Sequence, residues 1–348
     1  MSMIAGIGCV IPSREITNDD IMELIKYYST DISRHSLNNI LNTASKFMSH
    51  AGSHLRYWRR HDEHPLEMMH DAIGQALCSA NISRADIDLV LYVSVDRGFI
   101  EPANACFVAN ALGIKKARTF DIVDACMGWW SGVQVAQSFF SGGMAKCALI
   151  VSTECPMGVG QALMPDCFNI HDEKELEWKF PACTFGESVT MTIVTDDGNG
   201  LWPYSFISDS EFVHLCSVPY RDYAHIFGQI EGIQLSGPGG FTAFGQKMGE
   251  KGIKNGIKVL SSIIESLDSV DYIVPHTFSE PLPALAARKL GVVDKLYNVF
   301  PLFGNLATSS IPTALHRGIA RSDFTSKHKL IGWVASAGMK FSAFHIRL

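Results

Sequence analysis

Along the chain, short runs of consecutive apolar residues alternate with stretches where apolar residues recur every three or four positions. The first pattern predicts strands buried on both faces and the second predicts amphipathic helices. Leu89-Val-Leu-Tyr-Val-Ser94, Ala148-Leu-Ile-Val-Ser152 and Tyr272-Ile-Val-Pro-His276 are of the first kind. Helices are predicted from Leu66 to Ala80, through Trp129, Val133, Ala136 and Phe140, and from Lys247 to Leu267. Ile4 to Ile11 reads as an opening strand stopped by Pro12, and Thr17 to Asp20 caps a helix through Ile21, Leu24 and Ile25. A polar loop from Asp96 to Ala105 leads into a helix ending at Gly113. Between Tyr27 and His64 the pattern weakens into a basic surface excursion with Lys46, His50, His54, Arg56, Arg59, Arg60, His61 and His64. Pro156 to Lys179 reads as a mobile surface loop, or a lid, with His171-Asp-Glu-Lys174 at its tip.

Strand and helix alternate throughout, which predicts an α/β architecture with mostly parallel central sheets. Thr184 to Val194 and Ala337 to Leu348 have a similar form, a strand entered through glycine. This faint repeat predicts two related halves, residues 1–199 and 200–348.

The chain has 348 residues, 47% apolar and 18% charged, enough to bury a sizeable core. Lysine and arginine number 29 against 35 acids, so the net charge of −6 gives no electrostatic case for nucleic acid. Nine cysteines contain no CxxC pair, and the N-terminus lacks a basic stretch followed by an apolar core. A reduced, cytoplasmic protein is the expectation. No apolar run is long enough for a membrane span. The pairs His50/His54 and His61/His64 lack a cysteine or carboxylate that would complete a metal set, so a solvated face or a phosphate patch is the reading.

The chemistry gathers at Thr119-Phe-Asp-Ile-Val-Asp-Ala-Cys126-Met-Gly128-Trp-Trp, where an apolar strand of Thr119, Phe120, Ile122 and Val123 gives way to helical spacing. Cys126 falls at that junction, among unpaired amide hydrogens and the positive end of a helix dipole, an environment expected to favour the thiolate. Tyr272 to His276 delivers a histidine at a strand end, and Gly304-Asn305 lies in a loop before the helix through Leu315.

These residues resemble β-ketoacyl-ACP synthase III, a condensing-enzyme family of the thiolase superfamily, over nearly the full length and in order. Asp86-Ile-Asp-Leu-Val-Leu resembles its first-half strand entry, Asp124-Ala-Cys126-Met-Gly128 its nucleophile turn and Phe185-Gly-Glu-Ser its first-half closing strand. Pro275-His276 resembles its histidine strand, and Gly304-Asn305 with Ser310-Ile-Pro312 its asparagine loop. The resemblance implies a thiolase fold of two pseudo-symmetric halves in α-β-α-β-α layers. It implies that Cys126 takes an acyl group while its own amide and one near Ala337 or Gly338 hold the oxyanion. His276 and Asn305 would then hold a second thioester as an enolate that attacks the acyl-cysteine. It implies a homodimer, acyl carrier protein or acyl-coenzyme A as substrate carriers, and no metal or cofactor.

Three positions depart from the family's pattern. Lys46 and His50 stand where a tryptophan and an arginine grip coenzyme A, which favours a carrier-bound chain. Ser279 replaces the asparagine three residues after the histidine. Glu101 replaces a phenylalanine that reaches across the dimer, and a carboxylate there resembles the condensing enzymes of bacterial long-chain olefin synthesis, which join two chains without decarboxylation. Glu101 is therefore a candidate base or substrate anchor acting in trans, with helix capping after Pro102 as the plain alternative. The functional expectation is carbon–carbon bond formation in fatty-acid-derived or polyketide secondary metabolism. An ester- or amide-forming acyltransferase and a non-catalytic partner subunit are the alternatives.

Overall fold

The computed structural model describes residues 2–348 apart from 159–160, 199, 221–222, 229, 231–232, 234–239 and 268. Its strands are β1 (Ser2–Val10), β2 (Arg14–Thr17), β3 (Leu55–Trp58), β4 (Leu89–Tyr92), β5 (Arg118–Asp121), β6 (Cys147–Glu154), β7 (Ser188–Asp196), β8 (Tyr204–Ser208), β9 (Cys216–Ser217), β10 (Thr242–Ala243), β11 (Tyr272–His276), β12 (Leu330–Ser336) and β13 (Lys340–Ile346). Its helices are α1 (Asn18–Tyr28), α2 (Arg34–Ala51), α3 (Pro65–Ala80), α4 (Asn104–Ala111), α5 (Gly128–Ser141), α6 (Leu176–Lys179), α7 (Tyr223–Phe227), α8 (Gly245–Glu265), α9 (Pro281–Lys289), α10 (Phe300–Phe303) and α11 (Ser310–Ala320). None of the described helices is long and apolar enough to cross a membrane.

Two sheets repeat one topology. The first has the order β1-β7-β6-β4-β5, antiparallel across β1, β7 and β6 and parallel across β6, β4 and β5. The second, β8-β13-β12-β11, repeats those directions, and Leu296 bridges in parallel to Ile273 where the first sheet has β5. The expected α/β fold with pseudo-symmetric halves is present, but the sheets are mixed rather than mostly parallel. Among the described strands of these two sheets, four junctions are antiparallel and three parallel. The cause is the closing strand of each half, which folds back on its predecessor; between β12 and β13 the reversal takes only a short turn.

Apolar faces order the layers. A central core joins Leu89 and Leu91 of β4, Trp130 and Val133 of α5, Ile311 and Leu315 of α11, and Val334 and Phe344 of the second sheet. Trp130 stacks on Phe344 with ring centres 3.9 Å apart. The outer face of the first sheet is covered by α3 and α4, and that of the second by α8 and α9. Every side chain of β6 is buried, as its continuous apolar run predicts.

Several local expectations change. The supposed surface excursion contains the 18-residue α2, whose buried face is Ile40, Ala44, Met48 and Ala51. That helical spacing is masked in sequence by histidine, serine and asparagine. Arg56 of β3 is fully buried, its Nη2 donating to Asn18 Oδ1 and Ser53 Oγ. The long loop after Pro156 is an anchored wall rather than a mobile lid, because Leu163, Met164, Cys167, Phe168 and Ile170 are buried against α1 and α2. Its tip, His171 to Lys174, is exposed, as is Glu177. The strand expected from Thr184 starts at Ser188, because Thr184 belongs to a 3-10 turn and its carbonyl accepts the Asn305 amide. The expected strand through Val123 stops at Asp121, on the edge of its sheet, leaving Val123 exposed.

The closest packing is between β1 and α3. A Cβ built on Gly8 would lie 1.7 Å from the Ala72 carbonyl oxygen, and one on Gly6 2.3 Å from that of Ala76. No side chain fits unless strand and helix separate. Gly8→Ala should therefore cost at least about 3 kcal/mol, the upper end of ordinary overpacking, in urea unfolding monitored by circular dichroism. A loss below about 1 kcal/mol would show that this interface is looser than described.

Candidate active site

The edge strand β5 feeds a tight turn in which Ala125 takes a left-handed conformation, φ 45°, immediately before Cys126. Strain of this kind persists only where surroundings over-determine it, and here they do. Asp124 accepts from Ser131 Oγ at 2.6 Å and pairs with Lys340 of β13. The Ser336 hydroxyl of β12 accepts the Met127 amide at 3.1 Å and donates to the Asp124 carbonyl at 3.3 Å. The second sheet thus closes the turn that the first sheet begins. At Gly128 a Cβ would lie 2.4 Å from the Val93 carbonyl oxygen, so α5 starts hard against the end of β4.

The backbone amides of Cys126 and Ala337 lie against the Cys126 sulfur and favour its charged form. A carbonyl carbon bonded to that sulfur would place its oxygen near the same donors. Of the two residues considered for the second amide, Ala337 lines the cavity; Gly338, φ 77°, lies in the turn between β12 and β13.

The expected preference for thiolate is reversed. Burial pushes the Cys126 thiol well above the ordinary range, the neighbouring Cys216 and the charge of Glu154 push it further, and the two amides do not offset them. Cys216, in the same cavity, is itself pushed up to about 12 by burial.

His276 ends β11 and is buried, with Nδ1 2.9 Å from Ser310 Oγ. Burial pushes its pKa down to about 4, so the imidazole is neutral at pH 7. The folded state resists its protonation, and the stability it contributes is full above about 6.5 and lost as pH falls towards 4. When the Ser310 hydroxyl donates to Nδ1, Nε2 carries the hydrogen and becomes a donor. Asn305 is locked similarly: its Oδ1 accepts the Ala307 amide at 2.9 Å, which leaves its NH2 to present. The Asn305 backbone is tied to the Thr184 carbonyl at 2.8 Å and the Gly186 amide at 3.1 Å.

Cys126, His276, Asn305 and Ala337 line one cavity whose other walls include Phe185, Phe241 and Phe278. A second apolar cleft shares Met248, His276, Phe278, Ala335 and Phe341 with it. This cleft runs along α8 past Gly249, Gly252 and Gly256 to Trp333. A Cβ on Gly252 would approach Phe341 to 2.7 Å, so the missing side chain helps keep the passage open.

Glu101 is not brought to this cavity within one chain; it is exposed, in the loop before α4. Lys46 and His50 are exposed on α2, and Ser279 is buried in a turn where its amide donates to Thr277 Oγ1 at 3.1 Å. Among the described residues no group of three or more His, Cys, Asp or Glu could hold a metal ion. Sequence reasoning missed Cys216, Ser336, Glu154 and Thr308, which meet the site only through folding, and it quoted Ser310 in the asparagine loop without its bond to His276. The one available signal was Ser152-Thr-Glu154, polar residues closing an apolar strand.

Residues 265–348 match the family model described as 3-oxoacyl-[acyl-carrier-protein (ACP)] synthase III C terminal. The β-ketoacyl-[acyl-carrier-protein] synthase III of Desulfitobacterium hafniense is 25% identical over 323 residues, covering 90% of this chain and 87% of the relative. A structure of Xanthomonas campestris OleA with bound lauric acid and lauroyl-CoA superposes with a TM-score of 0.82 at 19% identity, covering 100% of this chain and 99% of that one. The 3-oxoacyl-[acyl-carrier-protein] synthase III of Aquifex aeolicus gives 0.78 at 19% identity, covering 100% of both chains.

A neutral, half-buried thiol makes a direct prediction. Iodoacetamide should alkylate Cys126 at pH 8 at least about tenfold more slowly than an unstructured cysteine peptide, with the rate still rising between pH 9 and 10. Intact-mass kinetics beside Cys126→Ser isolate the site. A rate independent of pH from 6 to 9 would mean a resting thiolate.

Proposed function

We propose that the chain is a β-ketoacyl-ACP synthase III-like acyltransferase, as its similarity to those enzymes supports, and that it loads an acyl chain on Cys126 and joins it to a second acyl thioester through a carbon–carbon bond. The observation that carries this reading is the convergence of Cys126, the Ala337 amide, His276 and Asn305 on one apolar cavity.

Sulfur of Cys126 attacks the thioester carbonyl, and the oxyanion is held by the Cys126 and Ala337 amides. The carrier's sulfur leaves, and the proton given up by the Cys126 thiol ends on it. The carbonyl oxygen of the second thioester then lies against His276 Nε2–H and the Asn305 NH2, which stabilise its enolate. The enolate carbon attacks the acyl-cysteine, and Cys126 leaves and regains a proton. Simple transfer to an amine or hydroxyl has less use for the His276 and Asn305 donors. The apolar cleft along α8 supports an alkyl chain as one substrate portion. Exposed Lys46 and His50 in place of the coenzyme A grip favour acyl carrier protein as the donor.

The reading includes a homodimer. The edge strand β5 is unpaired on one side, and exposed Phe99, Ile100, Phe107 and Val123 lie in or beside the segments flanking it. Asn104 ties the loop carrying Glu101 to β5, since its side chain donates to the Phe99 carbonyl at 3.0 Å and to Asp121 at 2.9 Å. Pairing across β5 would carry Glu101 towards the partner's cavity, where it removes the proton next to the second thioester without decarboxylation.

Intact-protein mass spectrometry with acyl-coenzyme A and acyl-carrier donors tests the first half. An acyl adduct on the wild type and none on Cys126→Ala is expected; the same adduct on both refutes Cys126. His276→Ala and Asn305→Ala should still acylate while condensation falls by about two to three orders of magnitude. Gly252→Val, which narrows the cleft against Phe341, should shift turnover towards shorter chains, and an unchanged chain-length profile would remove the cleft from the substrate path.

A further inference from the structure

Glu154 closes β6 with 2% of its surface exposed, and the described ion pairs do not include it. Its Oε1 accepts the Val95 amide at 3.0 Å and the Thr308 hydroxyl, and the Asp96 amide adds a further donor to the carboxylate. Thr308 Oγ1 also contacts Ser152 Oγ, which is 2.7 Å from Ser309 Oγ. The carboxylate therefore heads a buried row of hydroxyls joining a strand of the first sheet to the segment that follows Asn305. Thr308 also abuts the nucleophile turn, because a Cβ on Gly128 would lie 3.0 Å from Thr308 Cγ2. The residue before it, Ala307, has φ 44° and holds Asn305 Oδ1.

Glu154 also acts on Cys126 through its charge. Burial, with the charge of Asp96 adding to it, pushes the carboxyl up to about 7. The other titratable groups in its field are the Tyr92 phenol and the Cys155 thiol, and Arg59 faces Asp96 and Cys155 from behind while lying 3.5 Å from Glu187.

We propose that Glu154 is a positioning residue for both half-reactions: through Thr308 it seats the Asn305 loop against the turn that carries Cys126. This rests on Cys126 being the nucleophile. The carboxylate touches the Val95 amide and the Thr308 hydroxyl rather than the sulfur, so it reaches Cys126 through charge alone: while ionised it disfavours the thiolate, and once protonated it no longer does. Removing the charge while keeping the hydrogen bonds should free the thiol. Removing the hydroxyl link should loosen Asn305 without freeing it.

The test is the pH profile of Cys126 alkylation by iodoacetamide from pH 5.5 to 10, with melting temperature measured alongside. In the wild type the logarithm of the rate should rise with pH, bend to a shallower slope near pH 7 as Glu154 ionises, and rise again at high pH. Glu154→Gln keeps an acceptor oxygen for Val95 and Thr308. It should remove the bend and react about tenfold faster at pH 8, the effect of roughly one unit in thiol pKa. Thr308→Val should keep the bend, while kcat for condensation falls at least tenfold with KM little changed. A purely structural role would lower the melting temperature of both variants and leave the bend in Glu154→Gln, which overturns the proposal. If Glu154→Gln does not fold, the wild type decides alone, since a profile straight through pH 7 also overturns it. Alkylation needs no acyl substrate, so absence of acyl adducts, which defeats the proposed function, is distinguishable from failure here.

Discussion

The nucleophile turn is held from outside its own half of the molecule. Ser336 on β12 takes the Met127 amide and returns its hydroxyl hydrogen to the Asp124 carbonyl, and Lys340 on β13 pairs with the Asp124 side chain. These contacts fix a left-handed Ala125, place the Ala337 amide on the Cys126 sulfur and bring His276 and Asn305 to the same cavity. A strand edge followed by a helix supplies a cysteine in the right kind of place. The donors around that cysteine exist only once the second repeat has docked on the first. Burial of Trp130 against Phe344 and the interleaved α5 and α11 supply much of the apolar contact behind that docking.

The same closure sets the electrostatics. Sealing the turn between two sheets removes water from Cys126, Glu154 and His276 together, so each is driven towards its neutral form. A neutral thiol beside a neutral imidazole does not react until charge can be accepted. In the proposed reaction the site answers with oriented donors, two amides for one oxygen and the His276 and Asn305 hydrogens for another, so charge is stabilised where it develops rather than stored beforehand. An apolar cavity suits this arrangement, since low polarity strengthens those donors.

Much of the fold was legible because its interior strands are continuous apolar runs: β4 and β11 begin where the pattern puts them, and the Thr17 to Asp20 capping box starts α1. Legibility failed where tertiary context overrides local pattern. The polar residues of α2 mask a buried face of only four residues, and the apolar residues after Pro156 signalled a wall that only α1 and α2 complete. At the site, Cys126, His276 and Asn305 could be read from position and from resemblance. The protonation state of Cys126 could not, because it depends first on burial and then on Cys216 and Glu154, none of which any spacing announces. Glu101 was visible as an odd residue, and one chain alone leaves it on the surface.

The central claim is that this cavity makes a carbon–carbon bond, and product analysis with two distinguishable chains tests it most directly. The purified protein would be given a carbon-13-labelled acyl thioester and an unlabelled thioester of different length on acyl carrier protein, and the products identified by mass spectrometry. A β-ketoacyl product containing both chains, absent with His276→Ala and with Asn305→Ala, is the predicted result. Labelled chain recovered only as an ester, an amide or free acid, with His276→Ala and Asn305→Ala behaving as the wild type, would contradict the account.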